Sequence, residues 1–383
     1  MKIEMFTSWQ VRCGIADYAT ELVAGLRALP LTDVDIVPFD REIHPQSDYI
    51  RWGYDLNRGD VAHIQHEYSF FGYLTPWSNQ FRSLVSRITQ PIVITRHVSF
   101  DGPLSVPGVG LKHTIRQIKW AMYNRWLGPY ARVLNKDTFD IANQIIVLSG
   151  RLKDHLTSRG IDAGKIHVIP AGAPVVPPAT GGAVIRDRHG WAGKRVIGQF
   201  GYIAPAKGHR IMLEALARLP EDYVLLIAGG PRIEAHRTYQ NEIEAQISAM
   251  GIGNRVRITG FLPTAEVARH IDACDVLVYP YTHADFSYSV ATGLAYNHAP
   301  VVASDVYVHR EIATYCPGLT LFRSGDPAAL VTALRQAAMN NQVRNQAFNG
   351  MARYIREYTW AAMAEKTRDV YVAATRPSAI MSL

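Results

Sequence analysis

Short runs of apolar and β-branched residues alternate along the chain with segments in which apolar positions recur every three or four residues. That is the pattern of parallel sheets built from right-handed βαβ units. Strands are predicted at Lys2–Phe6, Val34–Phe39, Val61–Gln65, Pro91–His97, Gln144–Leu148 and Ile166–Pro170. A second set follows at Val196–Phe200, Tyr223–Ala228, Arg255–Phe261, Asp275–Tyr281, Pro300–Ser304 and Leu319–Phe322. Between the sets, residues 171–190 (AGAPVVPPATGGAVIRDRHG) carry Pro and Gly clusters that read as an interdomain linker. The expected architecture is α/β, with two doubly wound, Rossmann-like parallel-sheet domains at 1–170 and 191–361. In such sheets ligands bind beyond the carboxyl ends of the strands, so facing domains place a site in the cleft between them.

Composition narrows the class. The 383 residues are 48% hydrophobic and 19% charged, which excludes a disordered chain and suits two domains. Cys13, Cys274 and Cys316 are far apart and lack zinc or disulfide spacing, so a reducing, cytoplasmic setting is expected. The start has no signal-peptide pattern, and no window reaches 18 uninterrupted apolar residues. The net charge of +7 is concentrated: Arg82 to Lys136 holds nine Lys or Arg residues against Asp101 alone. There Leu111, Ile115, Ile118 and Met122 form one helical stripe, and Lys112, Arg116 and Lys119 form another, continued by Tyr123 and Trp126. This basic 112–126 helix can lie on an anionic membrane surface or be a solvated face over an ordinary core stripe. Nucleic acid is not expected, because no binding motif accompanies the charge.

Several segments can carry chemistry. Gly14 precedes the helical pattern Ala16–Leu29, where it either makes a tight turn or lets a phosphate approach a helix N-terminus. His63, His66 and Glu67 follow the third strand in VAHIQHEYSFFG. His63 reads as a satisfied strand histidine, whereas His66, Glu67 and Tyr68 are expected to bind a hydroxylated acceptor. No helical HExxH is present, and no metal site is expected. His97 closes the strand PIVITRH, where doubly wound sheets place functional groups. Lys207 and Gly208 stand just before the helix His209–Ala217, where an ammonium and free N–H groups can hold a diphosphate. Ser287 and Ser289 lie in the stretch ADFSYSVATGLAY, whose short polar side chains suit sugar hydroxyls or phosphate oxygens.

In order, CGIADYATEL, HIQHEYSFFG, VITRH, KIHVIPAG, FGYIAPAKG, YVLLIAGG, RVRITGFLP, CDVLVYPY, APVVASDVYVHREI and REYTWAAMAEKT span nearly the whole chain. Together they resemble the retaining glycosyltransferases of family 4, which have the GT-B fold. The resemblance implies that His97, Lys207 and Asp285 form the catalytic set. His97 would contact the reacting sugar, Lys207 would steady the leaving diphosphate, and Asp285 would occupy the first acid of the E-x7-E pattern. It further implies donor contacts at Gly14, Tyr202, Arg210, Phe261, Leu262, Phe286, Ser287 and Tyr288. Residues 362–383 would cross back onto the first domain. Two positions depart from the family: its second acid falls on Gly293, and its phosphate arginine falls on Tyr202, with Arg210 nearby as a substitute.

The implied reaction moves a sugar from a GDP- or UDP-sugar to a hydroxyl of a glycan or lipid-linked acceptor, with retention of configuration and without a metal or other cofactor. Anionic membrane contact through the 112–126 helix would place the protein at the inner face of the membrane. The rivals are a sugar-nucleotide 2-epimerase and a catalytically degenerate nucleotide-sugar-binding protein.

Overall fold

A computed structural model describes residues 1–11, 13–42, 44–71, 79–97, 118, 121–122, 125, 136, 138–231, 234–284 and 287–376. The chain divides into two units, Met1–Gly172 with Trp360–Leu383, and Ala173–Thr359. Each unit holds one six-stranded sheet.

The first sheet comprises β1 (Lys2–Ser8), β2 (Asp33–Phe39), β3 (Val61–His66), β4 (Ile92–Arg96), β5 (Gln144–Val147) and β6 (Ile166–Val168). Their spatial order is β2-β1-β3-β4-β5-β6, and every pairing is parallel. β3 and β4 are buried along their whole length, as strands covered on both faces must be. β2 alternates between exposed and buried positions and carries Pro38, which an edge strand tolerates. The helix Gly14–Arg27 buries Ile15, Ala19, Leu22, Val23 and Leu26. It packs against the helix Trp360–Thr375, which buries Trp360, Met363, Ala364, Thr367, Val370, Tyr371 and Ala374 at three- and four-residue spacing. Gly25 permits this approach: a Cβ there would stand 3.0 Å from both Ala364 Cβ and the Trp360 carbonyl oxygen.

The second sheet comprises β7 (Arg195–Phe200), β8 (Tyr223–Ala228), β9 (Val256–Ile258), β10 (Val276–Tyr279), β11 (Val301–Ser304) and β12 (Leu319–Phe322), in the parallel order β12-β11-β10-β7-β8-β9. Alternate residues feed two cores. Val196, Leu226, Leu277, Tyr279 and Val301 pack on one face, and Ile197, Leu225, Ile227, Val278 and Val302 on the other. Arg255, nearly buried, ties helix His209–Arg218 to the sheet by donating to the carbonyls of Leu216, Leu219, Pro220 and Tyr223.

Most predicted strand ends shift slightly, and two boundaries differ for a reason the structure supplies. The strand expected at Arg255–Phe261 covers only Val256–Ile258, because the chain turns at Gly260, whose φ of +71° is left-handed. The expected linker 171–190 contains a helix, Gly182–Arg188, that belongs to the second unit. The Gly182 amide donates to Asp272 Oδ2 at 2.6 Å, and a Cβ on Gly182 would overlap the backbone of Asp272 and Ala273. Glycine there is what docks the helix, and that is a tertiary reason a Gly-Gly pair does not disclose.

Candidate functional site

In the first unit the polar groups gather at the carboxyl ends of β3 and β4. His97 follows β4 and is only 2% exposed. Its Nε2 meets Gln65 Oε1 at 2.7 Å, and its ring stands edge-on to Tyr18 at 5.0 Å. Burial lowers its pKa to about 3, so the ring is neutral at physiological pH. His63 is fully buried: Nδ1 pairs with Tyr371 Oη at 2.7 Å and Nε2 with Thr95 Oγ1 at 2.8 Å. His66 lies among the rings of Tyr68, Phe71, Phe81 and Phe139, with centroids 4.9 to 5.3 Å away. Burial first, and then the Arg96 charge, lowers its pKa to about 3. Of the three expected acceptor residues, Glu67 and Tyr68 are partly exposed, whereas His66 is enclosed at 1%.

Gly14 opens the helix after Cys13, whose extended backbone makes the N-cap without a side-chain bond. Its φ is not left-handed, and among the described residues no atom stands within 4 Å of the place a Cβ would take. Neither a tight turn nor crowding therefore accounts for glycine at 14.

In the second unit Lys207 closes a 3₁₀ turn, Pro205–Lys207, and Gly208 begins the helix His209–Arg218. Gly208 has a φ of +70°, and a Cβ on it would overlap the Pro280 carbonyl, so this position admits only glycine. The loop is held by Gln199 Nε2 donating to the Lys207 carbonyl at 2.9 Å and by the Thr282 amide donating to Ala206 O at 3.0 Å. Lys207 Nζ lies 3.8 Å from the ring centroid of Tyr281. No ion pair joins it to a carboxylate among the described residues, so its charge is available to an anion.

Tyr281 is 1% exposed, and its hydroxyl accepts from Ser287 Oγ at 3.2 Å. Ser287 Oγ also accepts from the Val290 amide and so caps the helix Tyr288–Tyr296. The Tyr281 carbonyl accepts from Ser304 Oγ at 2.6 Å and Ser324 Oγ at 3.2 Å. His309 donates from Nδ1 to Ser304 O at 2.8 Å, with its ring 5.1 Å from Tyr281. Burial lowers its pKa to about 4.

Tyr202 and Phe261 meet as a T-shaped pair at 5.8 Å, with Phe261 48% exposed and Leu262 packed on the core. Arg210 pairs with Glu242 at 2.6 Å and lies 5.7 Å from the Tyr239 ring, on the outer surface of its helix. Asp285 and Phe286 lie outside the described residues; Ser287 and Tyr288 follow directly. A Cβ on Gly293 would fall on the Tyr279 hydroxyl, so the position of the missing acid is filled from below. Sequence reasoning missed Tyr279, Tyr281, Gln65 and His309. The tyrosines sit in the apolar run CDVLVYPY, which signals only a strand. Among the described residues no group of three or more His, Cys, Asp or Glu is placed to hold a metal ion.

Two doubly wound parallel sheets, the second bearing an ammonium at a glycine-opened helix start, are the two halves of the GT-B fold. Two family profiles match in chain order, Glycosyltransferase Family 4 over residues 14–175 and Glycosyl transferases group 1 over residues 194–340, and the chain belongs to this glycosyltransferase family. It is 27% identical to a D-inositol 3-phosphate glycosyltransferase of Xylanimonas cellulosilytica, over 71% of this chain and 67% of that one. It is 23% identical to an MMP alpha-(1->4)-mannosyltransferase of Mycolicibacterium hassiacum, over 76% of this chain and 67% of the relative. The crystal structure of Anabaena Alr3699/HepE in complex with UDP superposes with a TM-score of 0.75 at 16% identity, covering 97% of this chain and all of that one.

Proposed function

We propose that the protein is a retaining glycosyltransferase that uses a nucleoside-diphosphate sugar and needs no metal. The observation that carries this reading is Lys207: an ammonium without a carboxylate partner among the described residues, held over Tyr281 where a glycine opens a helix. Such a charge neutralises the diphosphate as its bond to the anomeric carbon breaks. The acceptor oxygen forms its bond to that carbon from the face the diphosphate leaves, and the departing phosphate oxygen takes the acceptor's proton. His97 and Asp285 contact the donor sugar, and no side-chain nucleophile is required. UDP is the first donor base to test, because HepE was solved with UDP.

The acceptor in this reading is a hydroxyl of a glycan or lipid-linked intermediate. An anionic membrane surface is a further partner, supported by the exposure of Ile118 at 56% and Met122 at 59%; Lys112, Arg116, Lys119, Tyr123 and Trp126 lie outside the described residues. No described helix is long and apolar enough to cross a membrane. Vesicle binding that is unchanged after neutralising Lys112, Arg116 and Lys119 contradicts the membrane contact.

The function is tested with a panel of UDP-, GDP- and ADP-sugars in chelator, following nucleoside diphosphate release and the thermal shift given by each free nucleotide. A ligand at 100 times its Kd stabilises the native state by about 2.7 kcal/mol, so a bound nucleotide is visible even without turnover. Release from one donor supports the proposal. A shift without release, even with acceptors added, favours a degenerate binding protein, and conversion of the donor without transfer favours an epimerase.

A further inference from the structure

The side-chain amide of Gln65, at the end of β3, is fully buried and can be oriented from its neighbours. Its Nε2 donates toward Met5 Sδ at 3.7 Å and stands 3.4 Å from His63 Nε2, which accepts when the His63 proton is on Nδ1 and is donated to Tyr371 Oη. His63 is itself anchored from β4 by Thr95 and from the C-terminal helix by Tyr371. The amide oxygen is therefore left to face His97 Nε2, at 2.7 Å. An amide oxygen carries no proton, so His97 Nε2 must donate. Because the buried ring is neutral, its other nitrogen, Nδ1, holds a lone pair. That Nδ1 is buried and has no hydrogen-bond partner among the described residues. A buried acceptor left unmet is costly, and at a functional site it marks a place reserved for a ligand's donor.

We infer that Gln65 is a positioning residue that fixes His97 as the Nε2–H tautomer, so that Nδ1 stands as a hydrogen-bond acceptor for a substrate hydroxyl. The inference rests on the glycosyltransferase reading for the identity of that hydroxyl, which belongs to the sugar transferred or to its acceptor. It does not rest on that reading for the tautomer. The arrangement excludes a general-acid role for His97, since a ring that accepts at Nδ1 and is locked at Nε2 has no proton to give toward the substrate.

The test is a long-range proton–nitrogen correlation spectrum of the full chain labelled with nitrogen-15, with His97 assigned from its loss in His97→Asn. At pH 7 the wild-type ring is expected to be neutral, protonated at Nε2 and unprotonated at Nδ1. Gln65→Leu should abolish the single tautomer and lower kcat about tenfold, while leaving the thermal shift by free nucleoside diphosphate unchanged. Gln65→Glu keeps an acceptor at the same place and should keep Nε2 protonated. Saturating sugar nucleotide and acceptor should move the Nδ1 resonance toward the hydrogen-bonded range. A wild-type Nδ1–H tautomer or an imidazolium overturns the inference even if Gln65→Leu fails to fold. So do His97 shifts indifferent to Gln65→Leu, or an Nδ1 resonance that ignores both substrates. A wild type that turns over no sugar nucleotide while showing the Nε2–H tautomer refutes the functional reading alone.

Discussion

The hydroxyl of Tyr279, on β10, occupies the space that a Cβ on Gly293 would take on the helix above. Both residues are buried, and the hydroxyl has no hydrogen-bond partner among the described residues. Glycine at 293 is thus what leaves room for the tyrosine beneath it.

Adding a side chain at 293 should therefore destabilise the protein. Alanine is favoured over glycine inside a helix by about 1 kcal/mol, so an uncrowded site would gain from Gly293→Ala. Overlap with Tyr279 should reverse that sign, at a cost of about 1–3 kcal/mol. Tyr279→Leu should relieve most of it in the double variant. Tyr279→Phe alone, which removes an unpaired buried hydroxyl, should be neutral or stabilising. Urea unfolding of the four proteins checks the set, and a stabilised Gly293→Ala contradicts the account.

Tyr281 is the platform for Lys207. If its face holds the ammonium, Tyr281→Phe should leave nucleoside diphosphate affinity within about threefold, since the ring persists. Tyr281→Leu should weaken it by roughly 5- to 30-fold, the size of a partly desolvated cation–π contact. Calorimetric titration separates these outcomes, and equal affinities for both variants refute the role.

The buried histidines make stability depend on pH in a definite direction. His63, His66 and His97 each have a pKa lowered to about 3 by burial, below the ordinary 6.5. The unfolded chain therefore binds more protons between those values, and the stabilisation is complete above pH 6.5 and is lost as pH falls toward 3. The urea midpoint should fall across that window. His66→Phe, which places an apolar ring among Phe71, Phe81 and Phe139, should make the fall shallower. An unchanged slope contradicts the neutral, buried state of His66.

How much of this the sequence discloses differs between fold and site. β8 is legible as an unbroken apolar run, and β3 and β4, also buried along their length, as shorter Val, Ala and Ile runs that carry His63, Gln65, His66, Thr95 and Arg96. Their ends are less so: β9 stops where Gly260 takes a left-handed backbone, a choice that its neighbours in sequence do not announce. Lys207 and Gly208 are visible as a loop at a helix start. The reach of Arg210 toward Glu242 is not, because it depends on a helix beginning 24 residues later, at Glu234. His66 reads as a polar loop residue, yet Phe81 and Phe139, which enclose it, come from distant segments. Gln65 reads as a strand residue until His97 and His63 are brought to either end of its amide.

The central claim is that Lys207 carries the charge of a donor diphosphate during transfer. Its most direct test is nucleoside diphosphate release from the preferred sugar nucleotide, in chelator and at saturating donor, for wild type and Lys207→Ala. The account predicts turnover without metal in the wild type and a loss of about 100-fold or more in the variant. A variant that keeps near-full turnover at saturating donor would contradict it.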